Sequence, residues 1–490
     1  MKKAYLNKVK KVFTSSETYF CLLLAALMGV VLFSPNIAGV ADNGDFNRVL
    51  RPVMMWYQEG LSHAQTYFNY VMERYDILTP LPLISPTYLN THVAVVFLAK
   101  TVNVIFVSHE IFYIRVLGGV YCCLMIWASF LIMRGIKTKY LWLNIFMFAL
   151  YVFMFGDSGH LLYFNSLFAE PTAFVFFLLA AGYLLQVVRA ERGRLRTAVL
   201  FFVALLLFLG AKVQYALLSV LFIPVAYYIA KRMEHRKEKW TVWIMLGATV
   251  CVSVALYLAQ PAYLDEVTTF DSVFCGIAGD SETAGDRLEE LGLPREYEVL
   301  SGMDGFQAEY PIDIHSREFR ENFYDKVGKG TLVKFYLTHF DLLWTEMERT
   351  AAEMYYNRPE YLGNRAEMFS AERSHYTVFS GYQTVKNHVF PRNVWFVLAF
   401  FLLYFGILAV GFIRNKDRQR RIWRMFLMIL IVFCGIQFAL PTVGNGGIDI
   451  AKQLYMFNVI FDFLLFYAIY STARAVSGLV QRNSNKADGE

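Results

Sequence analysis

Apolar residues in this chain come in long blocks rather than in short alternations, as in Phe20 to Phe33 and Thr197 to Ala211. Such blocks lie near 18–34, 92–107, 115–133, 140–155, 171–189, 197–211, 213–230, 240–259, 393–413, 424–440 and 455–471. A helix that spans a bilayer needs about 20 mostly apolar residues, and somewhat fewer at the short limit. Spanning β-strands would alternate over segments of about ten residues, which these blocks do not do. The pattern predicts an all-α polytopic membrane protein. Composition agrees, with 57% hydrophobic residues and a mean hydropathy of +0.39.

Charge decides which blocks cross. Basic loops mark the cytoplasmic side of a membrane protein. Lys2, Lys3, Lys8, Lys10 and Lys11 precede the first block, and further clusters are Arg134/Lys137/Lys139, Arg189 to Arg196, Lys231 to Lys239 and Arg414 to Arg424. All five share one side if 92–107 does not cross. That block also carries Lys100, Thr101 and Asn103, and is read as a juxtamembrane helix at the outer interface. About ten spans remain, with both termini inside. The blocks 197–211 and 213–230 are short, yet basic loops at both ends of the pair require two crossings. The net charge of +6 therefore belongs to membrane topology and not to nucleic-acid binding.

Four segments then face outward: 35–114, 156–170, 260–392 and 441–454. The first apolar run, with Gly39 and Ala41 before Asp42, has features of a signal peptide, and is read as an uncleaved anchor. The expected organisation is an N-terminal transmembrane module (1–259) with outer loops 35–114 and 156–170. A helix-rich extracytoplasmic domain (260–392), C-terminal spans (393–473) and a cytoplasmic tail (474–490) follow. The end of that tail, from Gln481, reads as disordered.

The outward segments concentrate the candidate chemistry. The first carries Asp42, Asn43, Asp45 and Arg48; the second carries Asp157, His160, Tyr163, Asn165 and Glu170; the last carries Asn445, Asp449 and Lys452. Acids near membrane depth are costly and call for a partner or a role. Local readings stand beside the functional ones. Asp42 and Asp45 can form an Asx turn around Gly44. Glu170 before Pro171 fits a helix start. Asp449 and Lys452 are spaced to neutralise each other on a helix. Lys212 can snorkel to headgroups.

Several motifs are absent: GxxxxGK[ST], GxGxxG after a strand, HExxH and GxSxG. The six cysteines show no CxxC and lie mostly inside apolar runs, so neither a disulfide framework nor a cysteine zinc site is expected. An enzyme built this way relies on carboxylates and on a membrane-soluble substrate that already stores energy.

On these residues the chain resembles the GT-C glycosyltransferases, polytopic enzymes that use polyprenyl-phosphate sugars. "ADNGDF" occupies the first outer loop, 92–107 the juxtamembrane helix, "DSGHLLYFNSLFAEP" the second loop, and 260–392 the outer domain. "DNGDF", "YFNSLFAEP" and "GNGGIDIAKQLYMFNVIFD" look most like bacterial surface-glycan hexosyltransferases of the WsfD type. The DxD spacing of some relatives is absent, so the choice between Asp42 and Asp45 stays open.

The resemblance implies attack by an acceptor hydroxyl on the anomeric carbon of a polyprenyl-phosphate-linked hexose, with the lipid phosphate leaving. Asp45 or Asp42 would be the base, its pKa raised by burial beside a second carboxylate. Lys212, Arg48, Arg51 and Lys452 would support the phosphate. Asp157, His160 and Glu170 would hold the acceptor, with Tyr163, Asn165 and Asp449 among the substrate-binding residues. No cofactor is required beyond, at most, a divalent cation (Mg²⁺ or Mn²⁺) on Asp45, Asp157 and Glu170. Tyr163, Phe164, Trp344, Tyr355 and Tyr356 are candidates for sugar stacking. The partners implied are the lipid-linked donor, a glycan or lipid-linked acceptor and membrane lipid, at the outer face of a bacterial cytoplasmic membrane. The competing readings are a transporter or flippase of lipid-linked glycan, and a glycan polymerase or ligase.

Overall fold

The computed structural model describes residues 16–78, 88–190, 194–280 and 282–487, with side chains as far as 478. The N-terminal lysines and Arg192 lie outside the described residues. The first span is α1 (Ser16–Phe33). The block at 92–107 forms α2 (Thr91–Phe106). The next spans are α3 (Ile114–Ile136), α4 (Leu141–Phe155), α5 (Glu170–Arg189) and α6 (Arg194–Leu209). They are followed by α7 (Val213–Ala230) and α8 (Arg236–Leu258). After the large insertion come α11 (Val394–Arg414), α12 (Arg418–Asn445) and α13 (Tyr455–Ala487). Among the described residues, eight helices are long and apolar enough to cross a membrane. α4 and the short helical segment after it, bent by 51°, count as a ninth if they form one span, which is one fewer than the ten expected. The all-α polytopic architecture read from the hydropathy pattern is the one observed. α13 continues to Ala487, so helix replaces the disorder expected after Gln481, while 488–490 lie outside the described residues.

The two ends of the bundle differ in chemistry. At one end Arg189 donates to the carbonyls of Arg134 and Lys137, Arg232 to those of Val187 and Val188, and Arg418 to that of Lys231. The described basic clusters therefore meet there. At the other end the amide of Ala41 donates to the Gly363 carbonyl, Tyr361 to Asp449, and the amide of Gln383 to Asp157. This is the loop end.

α2 has one face on protein and one face exposed. Val95, Val96 and Ala99 face protein, while Phe97, Ile105 and Phe106 are exposed. Its polar residues pin the loop: Lys100 donates to the Val53 and Met54 carbonyls, and Asn103 to those of Ser108 and Ile111. The pattern did not predict the small antiparallel sheet in this loop, β1 (Met55–Trp56), β2 (Arg74–Ile77) and β3 (Ile111–Tyr113). Its buried Met55, Tyr75 and Phe112 join the main core.

The insertion 260–392 has two parts. Phe270, Phe274, Phe319, Phe323, Phe335 and Tyr336 build a separate core. Further on, α9 (Phe340–Glu353) and α10 (Gly381–Val389) flank a stretch that joins the core of the bundle through Met354, Tyr355, Leu362 and Tyr382. That stretch is stitched to the first loop by main-chain bonds, from Gly39 to Asn364, Ala41 to Gly363 and Gly363 to Phe68. A Cβ on Gly363 would overlap the Asn69 carbonyl oxygen. Gly363→Ala is expected to cost about 1–3 kcal/mol through this overpacking, read as a lower Tm in detergent. An unchanged Tm would mean that the two strands of the stitch can separate freely.

Candidate active site

In the turn at Ala41–Phe46 every oxygen of Asp42 is engaged. Its Oδ1 accepts from the amides of Gly44 (2.7 Å) and Phe46 (3.1 Å), and its Oδ2 from the Tyr57 hydroxyl. Gly44 supplies the positive φ (100°) that lets the chain reverse. Asp42 is buried, and burial pushes its carboxyl up to about 6 against the lowering effect of these hydrogen bonds. Asp42 is thus the acceptor of an Asx turn and a brace on the loop.

The sign of that shift makes a prediction. An acid whose folded pKa is raised contributes stability that is present below the unfolded value and lost as pH rises through the folded one. The stability difference between wild type and Asp42→Asn should therefore move in favour of wild type as pH falls from 7 to 4. Thermal unfolding of both proteins across that range checks it, and a flat difference would refute the buried-acid account.

The turn points Asp45 the other way. Its Oδ1 is 3.0 Å from Arg48, and its Oδ2 forms an ion pair with Lys452. Burial raises the Asp45 carboxyl, but Lys452 and Arg48 outweigh it and hold the group well below the usual carboxylate range. Lys452 also lies 3.5 Å from Asp449 and 4.7 Å from the Phe168 ring centre. Asp449 takes a left-handed backbone (φ 55°) and accepts from the Tyr361 hydroxyl at 2.8 Å. So Asp449 and Lys452 do pair, as their spacing suggested, but Lys452 is shared with the first loop.

Asp45 lines a cavity of about 420 Å³ at the loop end, among α5, α7, α12 and the insertion. Arg48, Glu170, Lys212 and Lys452 line it too. Glu170 opens α5 and its Oε1 lies 2.5 Å from Lys212, which sits in the extended link between α6 and α7. The other Glu170 oxygen is buried without a protein partner. Lys329 and Asp265, 2.6 Å apart, complete the charged lining. Four cations thus face three carboxylates. Sequence reading missed Lys329, Asp265, Tyr88, Gln260 and Phe168, all on the cavity wall. Nothing local marks them, because a lysine in a polar stretch is ordinary until the fold turns it inward.

Only the end of the second loop, Leu167 to Glu170, reaches this cavity. Residues 158–165 form a short helical segment bent 51° from α4 and buried in the bundle. Asp157 caps it, accepting from the amides of Gly159 (2.7 Å) and Gln383 (3.1 Å), and burial raises its carboxyl. Asn165 donates to the Leu32 and Ala38 carbonyls. Tyr163 packs between Phe168 and Tyr455. His160 stacks on Phe174 and lies 3.7 Å from Asp462. These four residues, expected to bind substrate, lie buried in the bundle and not on the wall of this cavity.

The remaining expectations are corrected in the same way. Arg51 lies over the Trp56 ring rather than on the cavity wall. Trp344 packs on Trp395, and Tyr355 is buried against Phe390 and Phe461. Asp45, Asp157 and Glu170 do not converge as a cation site. Among the described residues no group of three or more His, Cys, Asp or Glu is placed to hold a metal ion.

A buried ionic cluster lies beneath the second loop. Asp462, inside α13, accepts from Lys386 (2.8 Å) and Tyr382 (2.6 Å) of α10, and Lys386 also donates to Asn458 (2.8 Å). Burial lowers the Lys386 ammonium pKa, and Asp462 opposes that shift. An acid within the apolar run of α13 was the legible sign of this cluster.

The family model of the YfdI N-terminal transmembrane domain matches residues 2–489. No curated protein matches. Among solved structures, the archaeal oligosaccharyltransferase AglB from Archaeoglobus fulgidus, in complex with an inhibitory peptide and a dolichol-phosphate, is similar at 12% identity and a TM-score of 0.39. That match covers 95% of this chain and 52% of the other. The apo form of the Archaeoglobus fulgidus oligosaccharyltransferase is similar at 11% identity and a TM-score of 0.39, with the same coverage. The chain spans about half the length of these two proteins. The comparisons give no support to the narrower WsfD-type likeness drawn from the loop motifs. By a family match over nearly its whole length, the chain belongs to the family of the YfdI N-terminal transmembrane domain.

Proposed function

We propose that this chain is a membrane glycosyltransferase of the GT-C type, a hexosyltransferase that moves a hexose from a polyprenyl-phosphate donor to a cell-surface glycan acceptor. One observation carries the reading: a single cavity at the end of the bundle holds Asp45 with Arg48, Lys212, Lys329 and Lys452. Four cations line the wall, and a sugar phosphodiester, which carries one negative charge, can draw on them in place of a carboxylate partner. Leu167, Leu217, Leu264 and Leu332 on the same wall suit a prenyl chain. By the positive-inside rule the basic end is cytoplasmic. The cavity then opens on the outer face of a bacterial cytoplasmic membrane.

The charges balance through the reaction. The acceptor oxygen bonds to the anomeric carbon, the bond from that carbon to the phosphate oxygen breaks, and the acceptor proton passes to Asp45. The donor gains a second negative charge on its phosphate as it leaves. Asp45 loses its charge at the same time and releases Lys452 to that phosphate. With Lys452 turned to the phosphate, Arg48 remains as the near counter-ion of Asp45, and burial raises the carboxyl against a weaker opposing charge. Glu170 positions Lys212, whose ammonium supports the leaving group.

Reconstituted protein should transfer label from a polyprenyl-phosphate hexose to a glycan lipid. Lys212→Met should lower kcat by about 10²–10³. Movement of labelled glycan lipid across the bilayer with no new glycosidic bond would replace the proposal by transport. Lack of transfer from every polyprenyl-phosphate hexose would also reject it.

A further inference from the structure

We propose that the basic end of the bundle holds a second ligand site, a cleft that binds the phosphate headgroup of an anionic phospholipid. The cleft measures about 980 Å³ and lies among α11, α12 and α13, with the ends of α3 and α5 behind it. α11 and α13 pack together nearer the loop end, through Phe400 on Phe461 (4.9 Å) and Phe401 on Phe457 (6.2 Å). They part toward the basic end, where Tyr404 and Ile407 of α11 line one wall. Ile407 belongs to an exposed row on α11 with Leu403 and Val410, so the cleft borders the bilayer.

Its mouth is cationic. Arg189, Arg420, Arg424 and Arg474 line it, and Asp417 is the one acid among the described lining residues. Asp417 lies 3.6 Å from Arg420. The other three arginines donate to neutral oxygens: Arg189 to the Arg134 and Lys137 carbonyls, Arg424 to the Gly411 carbonyl, and Arg474 to the Tyr470 hydroxyl. Their charge is therefore not matched by a carboxylate among the described residues. Trp423, a buried residue on the cleft wall, packs on Tyr467 (5.1 Å between ring centres). Deeper in, Leu185, Leu408 and Leu427 make the wall apolar. Guanidinium groups at the rim with hydrocarbon beneath fit an amphiphile whose phosphate sits at headgroup depth and whose chain follows the wall. Free phosphate would use the rim and leave the wall unused.

The full chain in detergent is to be titrated with phosphatidylglycerol, phosphatidylcholine and inorganic phosphate, with retained lipid read by native mass spectrometry and stability by Tm. Phosphatidylglycerol should be retained and should raise Tm, while phosphatidylcholine should do neither. The double variant R420Q/R474Q changes two exposed side chains, and should bind phosphatidylglycerol roughly thirtyfold more weakly. Arg418→Gln, at the same end but off the cleft, should bind it like wild type. Equal retention of phosphatidylcholine, or an equal loss in Arg418→Gln, would overturn the site. A Tm rise with inorganic phosphate equal to that with the lipid would assign the rim to free phosphate and overturn the lipid reading.

Discussion

Asp45→Asn is expected to abolish sugar transfer in a protein that still folds. Removing a positioned general base costs about 10²–10⁴ in rate, and an amide of the same shape cannot take the acceptor proton. The fold should tolerate the change for a structural reason. Asp45 is partly exposed to the cavity, and Lys452 keeps Asp449 at 3.5 Å as a counter-ion. Asp42→Asn should behave in the opposite way. Asn cannot accept from two backbone amides and the Tyr57 hydroxyl as the carboxylate does. The turn should loosen and the yield of folded protein should fall, while the folded fraction keeps activity. Transfer rates per folded molecule, with folding judged by monodispersity and Tm, separate the two. A folded Asp45→Asn protein that transfers sugar at the wild-type rate would remove Asp45 from the chemistry.

Lys386→Met should be the most damaging single change to stability. Lys386 and Asp462 are both fully buried, and the pair joins α10 of the insertion to a membrane span. Breaking a buried pair from one side strands the remaining charge, which typically costs about 3–5 kcal/mol. Replacing both partners removes the stranded charge. Lys386→Met with Asp462→Leu should therefore recover much of the loss, although Tyr382 loses its acceptor. Unfolding curves of the single and double variants in detergent test the idea. A single variant as stable as wild type would show that the pair contributes nothing beyond packing.

These two outcomes mark where local reading succeeded and where it stopped. The clustering of acids in the first and last loop-end segments was legible, because a polar group next to an apolar block stands out in one dimension. Asp45, Arg48, Glu170, Lys212 and Lys452 were all read as candidates, and all five reach one cavity. The second loop misled. Asp157, His160, Tyr163 and Asn165 are as polar in composition as the first loop, yet they turn inward as a short helical segment buried in the bundle. No periodicity distinguishes a polar loop that faces a cavity from one that braces the bundle.

By itself the sequence determined the long apolar helices and the gathering of the described basic clusters at one end. Those properties follow from the free energy of moving each segment between water and hydrocarbon, which is a sum over neighbouring residues. Tertiary structure alone decided which acid of "DNGD" faces the cavity. Two amides and a tyrosine hydroxyl take all of Asp42 into the turn, and the turn swings Asp45 toward a lysine 407 residues away. It also brought Lys329 and Asp265 to the same wall. The direction of a side chain is set by hydrogen bonds and ion pairs between distant segments, and only the folded chain makes those.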